Sequence, residues 1–371
     1  MKTVKVAMIG VGNISGIYLK NITGTFCGLE LIGVCDLVRE RAEKAQKEYN
    51  IPKLYETMHD AFADPEVELV LNITRPYEHF EVSKAALEAG KHVYSEKPLG
   101  ADLAEGTYLR KLAAEKGLYL GGAPDTFLGA GIQTCRRLID DGFIGTPIGS
   151  AAYMFSGGPE SWHPDPEFFY KRGGGPMLDM GPYYVTAMIN LMGGISRVVS
   201  ASRKSYPTRT ITSQPFFGKE VGVDVNTYVA GTVQYESGAI GTLFTTFDTK
   251  FPWDKNRFIE IYGTEGTLFV PDPNTFGGPV QLFRPEDGKV REIPLMYAYA
   301  ENSRALGLAD LCTALRSGRD HRANYQQQRH VLEIMTSFSK SSAEGRTLEL
   351  TTRYQRTPAM QPNVLHGVLE D

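Results

Sequence analysis

The sequence predicts an α/β protein in two parts: an N-terminal parallel sheet with helices on both faces, then a C-terminal α+β part built on a large, mainly antiparallel open sheet. Three observations carry this. Early in the chain, apolar runs at 4–9, 30–35, 67–74 and 91–95 alternate with helical stretches, as parallel strands joined by crossover helices require. From residue 198 onward, strand-like runs at 224–235, 239–249, 257–262 and 267–270 follow one another across short turns such as Glu236-Ser237-Gly238 and Thr264-Glu265-Gly266, the pattern of antiparallel neighbours. The length of 371 residues exceeds what one core usually serves. A change of character after Gly122 places the boundary there, giving domains 1–122 and 123–371.

Composition narrows the partners. At 42% hydrophobic and 22% charged the chain reads as an ordinary globular protein. A net charge of -4 gives no electrostatic case for binding nucleic acid or an anionic membrane, so small molecules are the expected partners. Cys27, Cys35, Cys135 and Cys312 show no C-x-x-C spacing and the seven histidines no H-x-x-x-H pair, so neither a disulfide framework nor a metal site is expected, and Cys35 reads as a small core residue. No signal-like or membrane-spanning apolar run is present, which makes a cytoplasmic protein the expectation.

The first strand runs into Gly10-Val11-Gly12-Asn13-Ile14-Ser15 and then a helix, a G-x-G-x-x-S variant of the dinucleotide fingerprint. Gly10 suits the tight turn, Gly12 admits a pyrophosphate to the backbone at the helix N-terminus, and Ser15 is small enough for close packing of helix on strand. The second strand ends in Asp36, 21 residues beyond Ser15, where an acid accepts the ribose hydroxyls of NAD and repels the 2'-phosphate of NADP. Arg39, three residues on, keeps NADP as the alternative. A helix over Arg39–Tyr49, a short strand over 51–55, a strand closing on Thr74, a helix over 78–89 capped by Gly90 and a strand over 91–95 follow in order. That last strand delivers Glu96-Lys97-Pro98. Gly12, Asp36, Thr74 and Lys97 thus share the carboxyl ends of parallel strands, the ligand side of a Rossmann sheet. A lysine there suits acid/base work, because burial and a nearby positive charge lower its pKa.

Asn72-Ile73-Thr74-Arg75-Pro76-Tyr77-Glu78-His79 and Ala89-Gly90-Lys91-His92-Val93-Tyr94-Ser95-Glu96-Lys97-Pro98 resemble the Gfo/Idh/MocA oxidoreductases, named for glucose-fructose oxidoreductase, inositol dehydrogenase and rhizopine catabolism proteins. Arg75 departs from that family's usual Thr-Pro-Asn, with the proline one place later. Farther on, Gly173-Gly174-Gly175-Pro176-Met177-Leu178-Asp179-Met180-Gly181-Pro182-Tyr183 is similar to the family's glycine run followed by D-x-G-x-H or D-x-G-x-Y. The resemblance implies an NAD(P)-dependent dehydrogenase or reductase acting on CH-OH groups of a sugar, cyclitol or related polyol. It implies cofactor contacts from Gly10, Gly12, Asn13, Ile14, Asp36, Thr74, Arg75, His79, Glu96 and Lys97. Lys97 is the first choice for the proton, Tyr183 the alternative, and Asp179 orients substrate or lysine. The open sheet is expected to pack on another subunit in a homodimer or homotetramer.

In the second part, 130–142 reads as a helix and 148–155 as a strand. The aromatic-rich loop 160–170 offers Trp162 to the C-H face of a sugar and His163 as a hydrogen-bond partner. Asp179 and Tyr183, four apart, share a face if they lie on one helix, which Pro182 allows only in a first turn; a helix-capping Asp179 is the competing reading. Helical stretches at 303–317 and 325–344 read as packing elements. Two other functions stay open: a redox-neutral glycoside hydrolase that keeps NAD bound, and a catalytically silent NAD-binding regulator, which the presence of Lys97, Asp179 and Tyr183 disfavours.

Overall fold

A computed structural model describes residues 3–250, 257–362 and 364–369. Its internal contacts divide the chain into two units, one formed by 1–130, 296–329 and 357–371, the other by 131–295 and 330–356. A boundary near Gly122 assigns the whole remainder to the second part, whereas by contacts the chain returns twice to the first unit.

The first unit opens with β1 (Val4–Ile9), α1 (Ser15–Gly24), β2 (Leu29–Cys35), α2 (Arg39–Tyr49), β3 (Lys53–Leu54), α3 (Met58–Ala63), β4 (Leu69–Asn72), α4 (His79–Glu88), β5 (His92–Ser95), α5 (Leu103–Glu115) and β6 (Leu120–Gly122). These six strands form one parallel sheet in the order β3-β2-β1-β4-β5-β6, which reverses direction between β1 and β4. Val6, Ala7 and Met8 of β1 and Leu69, Val70 and Leu71 of β4 are wholly buried, because helices cover both faces of a parallel sheet. Cys35 belongs to this core, as expected.

The chain continues as α6 (Ala130–Asp140), β7 (Pro147–Phe155), α7 (Gly175–Asp179), α8 (Gly181–Met192), β8 (Ile195–Arg203), β9 (Thr208–Thr210), β10 (Glu220–Gly222), β11 (Tyr228–Tyr235), β12 (Ile240–Thr246), β13 (Ile259–Gly263), β14 (Thr267–Val270), β15 (Val280–Phe283) and β16 (Val290–Ile293). It closes with α9 (Leu306–Ser317), α10 (Tyr325–Glu344) and β17 (Leu348–Glu349). Nine strands form the second sheet in the order β16-β15-β14-β13-β7-β12-β11-β8-β17. Every pairing is antiparallel except β7 with β12. The strand expected over 224–235 starts only at Tyr228, since the Asp224 N–H is donated to Tyr170 O (2.9 Å) instead of to a neighbouring strand.

On one face of this sheet α8 is buried along its whole length and α10 comes close enough that a Cβ at Gly231 would stand 2.8 Å from the Phe338 ring. Beside β8, Ser341 and Ser342 of α10 accept the N–H groups of Ser200 (3.0 Å) and Ser202 (2.8 Å), satisfying an edge that β17 is too short to cover. The other face carries Tyr153, Phe155, Tyr228 and Phe244, whose rings meet at 4.7–6.0 Å, with Val199 and Ile240 exposed nearby. Among the described residues no helix is long and apolar enough to cross a membrane.

Two buried carboxylates hold α9 in the first unit. Asp125 accepts the Gly307 N–H (3.0 Å) at the start of α9, while wholly buried Asp310 accepts from Arg319 (2.8 Å) and from the Arg322 N–H (2.6 Å) and guanidinium (2.5 Å). Burial works to raise the Asp310 pKa, but Arg322 and Arg319 outweigh it and hold the carboxyl below its usual range. Its stabilising contribution is therefore present above the unfolded carboxyl pKa, about 4, and is lost as pH falls below it. At neutral pH Asp310→Asn is expected to destabilise the protein by about 3–5 kcal/mol in urea unfolding, by leaving the buried guanidinium of Arg322 uncompensated.

Asp125 behaves oppositely. Burial, aided by the Glu96 charge and opposed by the Gly307 N–H and Arg304, pushes its carboxyl up to about 6. Folding takes up a proton there, so stability falls as pH rises from about 4 to about 6 and is level above. Asp125→Asn, which keeps an oxygen acceptor for Gly307, should gain about 1–3 kcal/mol at pH 8 and nothing measurable at pH 4. Equal effects at the two pH values would show that Asp125 ionises normally.

Candidate active site

At the end of β1 the chain turns at Gly10 with φ +98°, and a Cβ there would lie 2.7 Å from Ile73 O, so only glycine fits. Gly12, Asn13 and Ile14 are exposed, and a Cβ at Gly12 would meet nothing within 4 Å. The Ser15 Oγ is turned back onto Gly12 O (2.7 Å), so it is not spent on the helix end. α1 has no side-chain cap and no acid in its first turn, and although the Ser15 N–H is donated to Gly12 O (3.1 Å), the positive end of the helix stays open to an anion. The loop fits a pyrophosphate.

Asp36 is tethered through both oxygens, accepting Val11 N–H at 2.6 Å and Val38 N–H at 2.7 Å. Each oxygen retains a lone pair for a ribose hydroxyl. Arg39 is engaged by Glu43 (2.8 Å) and by Glu56, which offset the charge that a 2'-phosphate would seek. Leu37, at 94% exposure, and Val38 stand beside Asp36 as apolar surface that the sequence reading passed over.

At the ends of β4 and β5 the side chains interlock. Thr74 Oγ1 donates to Asn72 Oδ1 (2.7 Å), and Asn72 Nδ2 donates to His79 O and to Ser83 Oγ, both at 3.0 Å. His79, expected among the cofactor contacts, is 1% exposed, with Nδ1 2.9 Å from Pro98 O and Nε2 3.1 Å from Thr74 O. Burial lowers its pKa. The neutral ring has one N–H, so it donates to one of these main-chain carbonyls and lies against the other. Arg75 is exposed, and its guanidinium donates to Tyr77 Oη (2.8 Å).

Glu96 is nearly enclosed, at 8% exposure. Its Oε1 accepts from the Tyr18 hydroxyl (2.6 Å) and its Oε2 from the Lys97 N–H (3.0 Å). Tyr18 lies on α1, wholly buried, and burial together with the Glu96 charge raises its pKa far above the ordinary phenol value, so it stays a donor. Half-buried Lys97 is therefore anchored at its main chain by a carboxylate that is itself held from α1.

In the second unit, the glycine run leads into α7, which ends at Asp179; α8 then starts at Gly181 with Pro182 in its first turn. The expectation that Asp179 and Tyr183 share one helix face is thereby corrected, because Met180 separates two helices. Nor does Asp179 cap a helix: it closes α7, whose N-cap is Gly174. Asp179 is half-buried and Tyr183 buried. His163 Nδ1 accepts the Asp165 N–H (3.0 Å), burial lowers its pKa, and the Asp179 charge acts on it. The neutral ring thus carries its proton on Nε2. Trp162 is 65% exposed and meets His163 edge-on at 5.5 Å, while His163 packs on Phe169 at 5.1 Å.

The loop carrying these rings is held by residues that the sequence did not single out. Glu160 O accepts from Thr212 N (3.0 Å) and Ser213 N (2.8 Å), and its carboxylate takes the Tyr170 hydroxyl (2.6 Å) and Arg209. Arg209 also donates to Asp248 (2.7 Å) and Gly157 O (2.7 Å).

Residues 4–122 match the family model described as oxidoreductase family, NAD-binding Rossmann fold, and residues 132–269 that described as the GFO/IDH/MocA C-terminal domain. The scyllo-inositol 2-dehydrogenase (NAD(+)) of Bacillus subtilis is 26% identical over 72% of this chain and 73% of its own. For the myo-inositol 2-dehydrogenase of Thermotoga maritima the figures are 23%, 93% and 98%. In fold, the chain is similar to levoglucosan dehydrogenase solved with NADH and levoglucosan, with a TM-score of 0.80 at 20% identity over 94% of this chain and 99% of that one. The phosphate loop, the ribose acid and the two matching domain models together make this chain a member of the Gfo/Idh/MocA family of NAD-binding oxidoreductases.

Proposed function

We propose that the protein interconverts a secondary alcohol and a ketone on a sugar, cyclitol or related polyol, with Lys97 as general acid/base. The anchoring of Lys97 carries this reading: a buried carboxylate, held by Tyr18, fixes the main chain from which the lysine rises at the ligand end of β5. The relatives' names, inositol and levoglucosan dehydrogenases, support the substrate class.

Bound NAD+ would supply the hydride acceptor. The N–H groups at the start of α1 would hold the pyrophosphate, and Asp36 the ribose hydroxyls. As the alcohol is oxidised, the Lys97 amine takes the hydroxyl proton; in reduction the ammonium returns it to the forming alkoxide. Asp179 accepts hydrogen bonds from neighbouring hydroxyls, Tyr183 bonds the reacting oxygen, His163 donates through Nε2, and Trp162 offers its ring to the C-H face of the sugar.

Incubation with NAD+ and a panel of sugars and cyclitols, followed by NADH absorbance, tests the reaction class. Accumulating NADH is the expected result; sugar released from glycosides without NADH would mark a redox-neutral hydrolase instead. Lys97→Met should lower turnover by about 10²- to 10⁴-fold, the usual worth of a positioned acid/base. Survival of turnover within about tenfold would remove the proton role from Lys97.

We further propose that the aromatic face of the nine-stranded sheet, with Tyr153, Phe155, Tyr228 and Phe244, packs against a second copy in a homodimer or homotetramer. So large an apolar face on an open sheet is costly to leave in water. Light scattering should give a multiple of the chain mass, and Phe244→Asp should reduce it to that of one chain. A native mass of one chain would end the proposal.

A further inference from the structure

Gln328 lies in the first turns of α10, and its side chain is laid against the carboxyl ends of β5 and β6. A Cβ added at Gly122 would stand 2.6 Å from Gln328 Nε2 and 2.1 Å from Ser95 O. Nε2 donates to Ala123 O at 3.1 Å, and Ala123 N–H is itself donated to Ser95 O at 2.9 Å. This bond fixes the amide's orientation, since the flipped amide would set two acceptors, Oε1 and the carbonyl, against each other. Oε1 is left buried without a hydrogen-bond partner, on a residue only 6% exposed. A buried acceptor in that state costs stability, and at the ligand end of a sheet the natural remedy is a donor on the ligand.

The position identifies the donor. Gly12 and Asp36, at the ends of β1 and β2, suit the pyrophosphate and the adenosine ribose, so the other half of the dinucleotide lies beyond the switch point, towards β4, β5 and β6. The nicotinamide carries a carboxamide with N–H to donate. Glu96, the other acceptor at this end, is bonded by the Tyr18 hydroxyl and the Lys97 N–H, whereas Gln328 Oε1 has no donor. We propose that Gln328 Oε1 accepts the carboxamide N–H of the nicotinamide and so sets the ring's rotation about its ribose bond. The inference rests on NAD binding by the first unit and is independent of the role given to Lys97.

Dissociation constants measured by calorimetry test it without turnover. The probes are NAD+ and its 3-acetylpyridine analogue, in which a methyl ketone replaces the carboxamide and no N–H remains. Native protein should bind NAD+ about tenfold more tightly than the analogue, the worth of one well-made hydrogen bond to a buried acceptor. Gln328→Met, similar in length and without the acceptor, should shrink that ratio to below about threefold by weakening NAD+ alone. An unchanged ratio in the variant would overturn the proposal while leaving NAD binding intact; failure of native protein to bind either dinucleotide would instead strike the NAD reading. Native protein alone gives a second check: nicotinic acid adenine dinucleotide, whose carboxylate would face Oε1, should bind more weakly than NAD+, and equal affinity for all three dinucleotides would equally overturn it.

Discussion

The enclosed carboxylate of Glu96 is the constraint around which the first unit is arranged. Removing a carboxylate from water is expensive unless donors compensate it, and here the Tyr18 hydroxyl and the Lys97 N–H do so. Tyr18 reaches Glu96 because α1 packs on the sheet directly after the phosphate loop. The same contact therefore joins the element suited to the pyrophosphate with the strand end that presents the lysine. Buried His79 lies between Thr74 O and Pro98 O and donates its one N–H to one of them. The main chain around Lys97 is thus fixed by Glu96 at its own N–H and by the contact of His79 with Pro98 O.

What could be read from the sequence was local and periodic. Gly10, Gly12 and Asp36 announce themselves by spacing, and the strand ends carrying Thr74 and Lys97 follow from runs of apolar residues ended by polar ones. The parallel and antiparallel halves were legible for the same reason, and the two observed sheets agree with both. What escaped depends on contacts between residues far apart in the chain. Nothing near Tyr18 signals a partner 78 residues away, and nothing near Arg209 signals Glu160 and Asp248. Gln328 is the last of three consecutive glutamines, and nothing in the sequence sets it apart from the other two. The break at Met180 was missed because four-residue spacing suggests a common helix face, while Gly181 and Pro182 favour a fresh start.

The second sheet shows the same division of labour between the two faces of one strand. Along β11, Val229, Val233 and Tyr235 are turned to the core, while Tyr228 shares the opposite face with Phe244 of β12. Alternation of this kind is what a half-buried antiparallel strand requires, but an aromatic solvent-side row is not. The candidate substrate loop is stiffened by the ion pairs of Arg209 and by Phe169 and Tyr170 packing on Phe247, just beyond β12.

The discontinuity of the first unit bears on how the protein is made. Asn21 on α1 donates to Asn302 O (2.9 Å) and Arg304 O (2.8 Å), Cys27 N–H to Gly367 O (2.8 Å), and Arg322 to Pro358 O (3.0 Å). During synthesis the nucleotide-binding sheet is made before these partners: Asn302 and Arg304 follow only after 131–295 of the second unit, and Pro358 and Gly367 after all of it. The half that emerges earliest is thus the last to be completed, and it must wait through the folding of its neighbour with the flank of α1 uncovered.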